Sequence, residues 1–141
     1  MLDQLFEEIQ KDSQRKIVTS VISITEVTHV SEERLLKRVD DKVRETLDNF
    51  WADSTLLEFV DFNELIARQA RDLIRRVIPL GYVLKSHDAI HLATAKYVDA
   101  KECFTYDDKL HKYNSYVGLN ILSPYVSSPK LPLFSSDDPD E

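Results

Sequence analysis

The sequence predicts an α/β domain with a mainly parallel central sheet. Short apolar, β-branched segments alternate with longer amphipathic segments, an order typical of strands joined by helical crossovers. Only two of the 141 residues are glycine, which suits a helix-rich globular chain. Acidic residues also lie near the ends of predicted helices and strands. Asp88 opens a predicted helix, and Asp107 and Asp108 directly follow a predicted strand, so these carboxylates can converge in space.

Composition limits the function classes. A chain of 141 residues with 43% hydrophobic and 30% charged residues predicts one domain with one core. No apolar run approaches the ~18 residues of a membrane span, so we expect neither a transmembrane helix nor a signal peptide, and a cytoplasmic location. The net charge of -7 argues against dominant sequence-independent attraction to nucleic acid. It does not argue against an enzyme that cuts nucleic acid, because carboxylates that hold cations are themselves negative.

The first third of the chain predicts a helix, a strand and a second helix. Helical spacing of apolar residues marks the first helix, with Leu2, Leu5, Phe6 and Ile9 on one face. The run KIVTSVISI, which starts at residue 16, is rich in apolar and β-branched residues, and this predicts a buried, parallel strand at residues 16–20. Ser20 or Ser23 then caps a helix with Glu26 in its first turn, near the carboxyl end of the strand. Its predicted apolar stripe consists of Ile24, Val27 and Val30.

The middle of the chain predicts a long helix, a strand and another helix. From Ser31 to Trp51 the amphipathic pattern is continuous, which predicts one helix with a charged outer face. Residues 56–62 form the second predicted strand. Asn63 is the predicted N-cap of the next helix, and Pro79 and Gly81 end it. Its predicted inward-facing residues are Leu65, Ile66, Ala70, Leu73, Ile74 and Val77.

The remaining chain predicts two further strands and a tail. Ser86 is a predicted N-cap for a helix through Ala100, whose small residues permit close packing against the sheet. Residues 102–106 form the third predicted strand, and a short helix follows it. Residues 119–122 form the fourth. The proline-, serine- and acid-rich residues 125–141 have no periodicity, and we expect them to be a disordered tail.

Two segments resemble the motifs of the PIN-domain family, especially the VapC-type toxin ribonucleases and their bacterial relatives. The first is TSVISITEV at residues 19–27. The second is the pair HDAIHLATA at 87–95 and FTYDDKL at 104–110. The resemblance covers residues 1–124 and implies a three-layer α/β/α fold. In this family the domain opens with a strand that ends in an Asp, followed by a helix. Neither has a counterpart in this sequence, so the resemblance implies an N-terminally truncated version of the fold.

The resemblance also implies a site and an activity. Glu26, Asp88 and Asp107 match the family's active-site acids, and Thr105 matches a threonine that helps to order the site. They would hold Mg²⁺ or Mn²⁺, with Asp108 as an additional ligand, since hard cations take oxygen ligands. The implied function is a metal-dependent endoribonuclease of the VapC toxin type, acting on RNA and impaired by the missing first Asp. The alternative is an inactive PIN remnant that binds an antitoxin or forms a homodimer.

Simpler structural roles stay open for the same residues. Asp88 could only complement a helix dipole, Asp107 or Asp108 could only be an N-cap, and Glu26 could be a solvated helix residue. The spacing of His87 and His91 allows a zinc pair with Asp88, although His91 lies among core residues and is expected to pack there with its ring nitrogen satisfied. Four basic residues precede the site and either line an RNA groove or are solvated: Arg71, Arg75, Arg76 and Lys85.

Overall fold

The computed structural model describes residues 2–12 and 14–125. Within them the chain forms, in order, α1 (Leu2–Lys11), β1 (Ile17–Ser20), α2 (Ser23–Glu26), α3 (Ser31–Leu36), α4 (Asp41–Trp51), β2 (Leu57–Val60), α5 (Glu64–Val77), a first 3₁₀ helix (Ile78–Leu80), α6 (Ser86–Tyr97), β3 (Glu102–Phe104), a second 3₁₀ helix (Asp108–Tyr113), α7 (Asn114–Val117) and β4 (Asn120–Leu122). None of the described helices combines the length and apolar character that crossing a bilayer requires.

The four strands form two parallel pairs. β1 pairs with β2 from Ile17 opposite Leu57, and β3 pairs with β4 from Glu102 opposite Asn120. The parallel direction was predicted, but among the described residues the hydrogen bonds join two separate pairs instead of one continuous sheet. One edge of β1 and one of β3 therefore have no strand beside them in this part of the chain.

The main core lies between α5, α6 and the β3–β4 pair. α6 contacts α5 as well as β1 and β3, which explains its small residues: Ala89 and Ala93 are fully buried and let the neighbouring backbones approach closely. Asn63 caps α5 as predicted, its side chain accepting the Ile66 N–H at 2.9 Å. The core cluster is completed by residues that follow α6, namely Tyr113, Val117, Leu119 and Ile121.

A second apolar group joins α1, α4 and β2. Leu5 and Ile9 of α1 are buried, as the helical spacing predicts. Aromatic rings link the three elements, with centroid distances of 6.2 Å for Phe6–Phe50, 5.1 Å for Phe50–Trp51 and 5.6 Å for Trp51–Phe59. Such tilted and edge-on pairs are favoured arrangements of aromatic rings. They fix α1 and α4 against the strand pair that precedes the site.

The single long helix predicted from Ser31 to Trp51 is wrong. The chain leaves the helix at Lys37, which adopts the left-handed conformation with φ 54°, and α4 starts only at Asp41. Backbone bonds from the Lys37 and Arg38 N–H groups close α3, and side-chain bonds hold the segments on either side of the break. The Glu33 carboxylate accepts the N–H groups of Asp40 at 2.7 Å and Val30 at 3.1 Å, and these two bonds lower its pKa. The Asp40 side chain then accepts the N–H of Lys42 at 2.9 Å.

Other predicted features are also corrected. The stripe of Ile24, Val27 and Val30 does not form, because α2 ends at Glu26 and all three side chains are exposed. Leu65 is exposed as well. Lys85, not Ser86, occupies the N-cap position of α6, without a side-chain cap bond, and α6 ends at Tyr97.

Tyr125 is the first residue of the predicted tail, and the rest of that tail, residues 126–141, lies outside the described part of the chain. The Tyr125 hydroxyl donates to the Glu102 carboxylate, with contacts of 2.9 and 2.7 Å to its two oxygens. This hydrogen bond raises the pKa of the Tyr125 hydroxyl. The Tyr125 ring also packs edge-on against Phe104, 5.6 Å away, so the chain stays attached to β3 after β4 ends.

Replacing Ile66 with Ala tests the core. Ile66 lies on the buried face of α5 and is 0% exposed. The change should lower the free energy of unfolding by about 2–5 kcal/mol, because burial is lost and a cavity is left behind. The control is Leu65→Ala, one residue earlier and 52% exposed, which should change stability far less. Urea denaturation followed by circular dichroism measures both. Equal losses would mean that α5 does not bury the face described here.

Candidate active site

Asp88 lies in the first turn of α6 with its side chain partly buried. Its Oδ1 atom is 3.5 Å from Nε2 of the neighbouring His87. Tyr113 of the second 3₁₀ helix lines the same pocket as Asp88; burial, together with Tyr82 and the charge of Asp88, raises the pKa of the Tyr113 hydroxyl. Asp88 therefore sits where α6 meets the second 3₁₀ helix.

Asp107 lies between β3 and the second 3₁₀ helix, at the N-cap position of that helix. Its side-chain Oδ1 accepts the N–H of Lys109 at 3.0 Å, which makes it an N-cap, one of the simpler roles left open by the sequence. Its own N–H donates to Oγ1 of Thr105 at 3.0 Å, and the Thr105 N–H donates to the Leu122 carbonyl at 3.0 Å. Thr105 thus connects the position of Asp107 to the β3–β4 pair. The catalytic role of Thr105 stays a prediction.

One pocket brings Asp88 and Asp107 together. It has a volume of about 190 Å³, and both acids line it, although 18 residues separate them along the chain. Three lysines and His87 also line it, so basic residues share the pocket with the carboxylates in a chain whose net charge is -7. The lysines are Lys85, Lys109 and Lys112.

Glu26 reaches α6 at a different point. Its Oε1 atom lies 2.5 Å from Nε2 of His91, and the two side chains are 31% and 30% exposed. Glu26 is not part of the pocket lining described above; it lies against α6 through His91. The expectation that the His91 ring nitrogen would be satisfied is correct, but its partner is a carboxylate 65 residues away along the chain.

Asp108 and the zinc alternative find less support in the geometry. Asp108 is exposed and does not line the pocket. The two histidines face different carboxylates, His87 towards Asp88 and His91 towards Glu26. In the part of the chain that the structure describes, no three histidine, cysteine or acidic side chains are grouped closely enough to hold a metal ion.

Lys109 and Lys112 are pocket residues that the sequence reasoning missed. The Lys112 ammonium lies 4.4 Å from the centre of the Tyr82 ring and 5.4 Å from that of Tyr113, which limits its motion by cation–π attraction. Their spacing carried a signal, because side chains three residues apart align in a 3₁₀ helix. Of the basic residues singled out earlier, Lys85 lines the pocket, whereas Arg71 pairs with Asp72 and Arg76 donates to the Tyr116 carbonyl.

A family model described as PIN domain matches residues 2–115, which is most of the chain and includes Glu26, Asp88 and Asp107. The chain belongs to the PIN-domain family. The PIN domain is a three-layer α/β/α fold, so the predicted fold class and family are confirmed. It is in general a nuclease fold, and PIN domains generally use divalent metal ions. No curated protein gives a significant match to the chain.

The N-cap role of Asp107 can be separated by substitution from its predicted role as a metal ligand. Asn caps a helix about as well as Asp, whereas Ala does not, and losing a cap typically costs about 1 kcal/mol. Asp107→Asn should therefore keep the free energy of unfolding and weaken Mn²⁺ binding, because a charged oxygen ligand is lost. Asp107→Ala should lower both. Urea denaturation and the electron paramagnetic resonance of free Mn²⁺ measure these effects; unchanged Mn²⁺ affinity in both variants would leave Asp107 as an N-cap only.

Proposed function

We propose that this PIN domain is a Mg²⁺- or Mn²⁺-dependent endoribonuclease of the VapC toxin type. The observation that carries the proposal is the pocket that Asp88 and Asp107 line together with three lysines. Paired carboxylates beside fixed cations suit a site that must bind both a metal ion and the phosphates of a substrate. The family match supports nuclease chemistry in general terms.

The donor set fits a magnesium ion. Mg²⁺ is typically held by one or two carboxylates and keeps several of its waters, and Asp88 and Asp107 supply two such groups in one pocket. The volume of about 190 Å³ corresponds to roughly six waters at ~30 Å³ each, enough for a partly hydrated cation. Glu26, which does not line the pocket, and Asp108 after a side-chain rearrangement are the further ligands in this proposal. A bound divalent ion would supply an activated water and stabilise charge on the phosphate.

The residues around the acids have roles that do not depend on the metal. Lys85 precedes α6, and Lys109 and Lys112 project from the second 3₁₀ helix, so cations approach the pocket from two elements. They attract a phosphate backbone towards the carboxylates and offset the repulsion from a chain of net charge -7. Thr105 holds the backbone at Asp107, which fixes the direction from which this carboxylate enters the pocket.

Cleavage of a single-stranded RNA in the presence of Mg²⁺ or Mn²⁺ tests the proposal. EDTA should abolish cleavage, and added metal should restore it. Asp88→Asn should lower the rate by about two orders of magnitude, because it removes a ligand that positions the metal. The control is Asp72→Asn, the same change at an exposed acid of α5, which should leave the rate unchanged. Cleavage that resists EDTA, or equal rates for Asp88→Asn and the native chain, would overturn the proposal.

A second candidate function is a protein-binding module that recruits an antitoxin or a second copy of the chain. The observation that favours it is an exposed apolar segment on α3 and the turn after it. Leu35, Leu36 and Val39 are 80%, 71% and 83% exposed, although their spacing in the sequence is that of a helix face that packs against something. We name this segment, residues 35–39, the α3 apolar segment.

Self-association through the α3 apolar segment can be tested by sedimentation velocity. If a homodimer forms there, Leu36→Asp together with Val39→Asp should convert it to monomer, because two buried charges would oppose the contact. Leu65→Asp, an equally drastic change at an exposed position of α5, is the matched control and should leave the dimer intact. A native chain that stays monomeric at high concentration would restrict this function to a different partner.

A further inference from the structure

The contact between Glu26 and His91 joins α2 to α6. Glu26 is the last residue of α2, after the β1 strand, whereas His91 lies in the middle of α6. A carboxylate has only acceptors, so the 2.5 Å contact requires that His91 Nε2 carries the hydrogen and donates it. The His91 and Glu26 side chains are 30% and 31% exposed, and hydrogen bonds to charged groups are among the stronger ones.

The position of His91 determines which face of α6 Glu26 contacts. His91 follows Asp88 by three residues, so both side chains lie on the same face of the helix, about 4.5 Å apart along its axis at 1.5 Å per residue. The contact therefore holds the Glu26 carboxylate on the face of α6 that carries Asp88. This side chain-to-side chain bond spans 65 residues of sequence.

Backbone hydrogen bonds close the end of α2, where the Val27 N–H donates to the Ser23 carbonyl at 3.0 Å, but they do not hold the Glu26 side chain. This helix has four residues, and the side chains of Ile24 and Val27 are exposed, so burial gives it little support. Its anchor at the other end is Ser23, which is buried and shares a hydrogen bond of 2.7 Å with Thr19. The Glu26 side chain, three residues further on, is hydrogen-bonded to His91.

We propose that His91 is a positioning residue that holds Glu26 on the face of α6 that carries Asp88, for metal binding. The expected effect on metal binding rests on the proposed function. A carboxylate held in place by a second group binds a metal better than one that must first be ordered. The structural part of the proposal, the attachment of α2 to α6, is independent of any metal. The role assigned to His91 is that of a hydrogen-bond donor to Glu26.

Mn²⁺ affinity of the full chain provides the first test, measured by electron paramagnetic resonance. His91→Leu removes the donor and should weaken Mn²⁺ binding by about 10- to 100-fold, the usual effect of losing a group that orients a ligand. His91→Gln keeps an N–H that can reach the carboxylate and should recover most of the affinity. His29→Leu, at an exposed histidine bonded to Thr28, is the control and should bind like the native chain. Unchanged or tighter binding by His91→Leu overturns the proposal.

Amide hydrogen exchange without metal provides the second test and separates the two ways of failing. His91→Leu and Glu26→Ala should each speed exchange in residues 21–27 by roughly tenfold, and the double variant should show no further increase, because both changes break one bond. Additive effects, or no effect of either change, would overturn the positioning role even if the chain binds metal. If the native chain binds no Mn²⁺ while the exchange result holds, the proposed function fails and the attachment of α2 to α6 stands.

Discussion

The burial of α6 is the constraint on which the rest of the structure depends. This helix contacts α5, β1 and β3, so most of its circumference must be apolar or small, and Ala89, Leu92 and Ala93 meet that requirement. Thr94 is buried too, but its hydroxyl donates to the Ile90 carbonyl at 2.7 Å and leaves no unpaired donor. The polar residues of α6 lie on the rest of its surface. Asp88 and His91 are among them, and the candidate site includes this part of the helix.

The strand pairs determine how the other acids reach that face. Glu26 comes after β1 and Asp107 comes after β3, both at the carboxyl ends of parallel strands, where ligands bind in α/β sheets. Since β1 and β3 both lie against α6, their two acids approach the same helix from different sides. Asp107 shares a pocket with Asp88, whereas Glu26 is attached one helical turn further along by His91.

The local charge at the pocket differs from the net charge of the chain. The net charge is -7, yet three lysines line the pocket that holds Asp88 and Asp107. Lys112 is held over the rings of Tyr82 and Tyr113, which themselves belong to or border the core. Packing of the core therefore also places a cation at the site, and the local potential cannot be inferred from the total charge.

The sequence by itself determined the local elements and the family. The β-branched run at 17–20, the Asn63 cap and the small residues of α6 act over a few neighbouring positions, so their pattern is readable without the fold. The sequence also placed Asp88 and Asp107 at element ends that do converge. Their ligand roles, and that of Asp108, stay predictions.

Only the tertiary structure decided the partners of these residues. Glu26 and His91 are far apart along the chain, and so are Lys112 and Tyr82; nothing in the sequence pairs either set. The break at Lys37 shows the same limit, because the apolar spacing of Leu35, Leu36 and Val39 predicts a buried face, whereas the helix ends at Leu36 and these side chains are exposed. Periodicity reports which side chains share a face, but what covers that face depends on contacts that the rest of the chain makes.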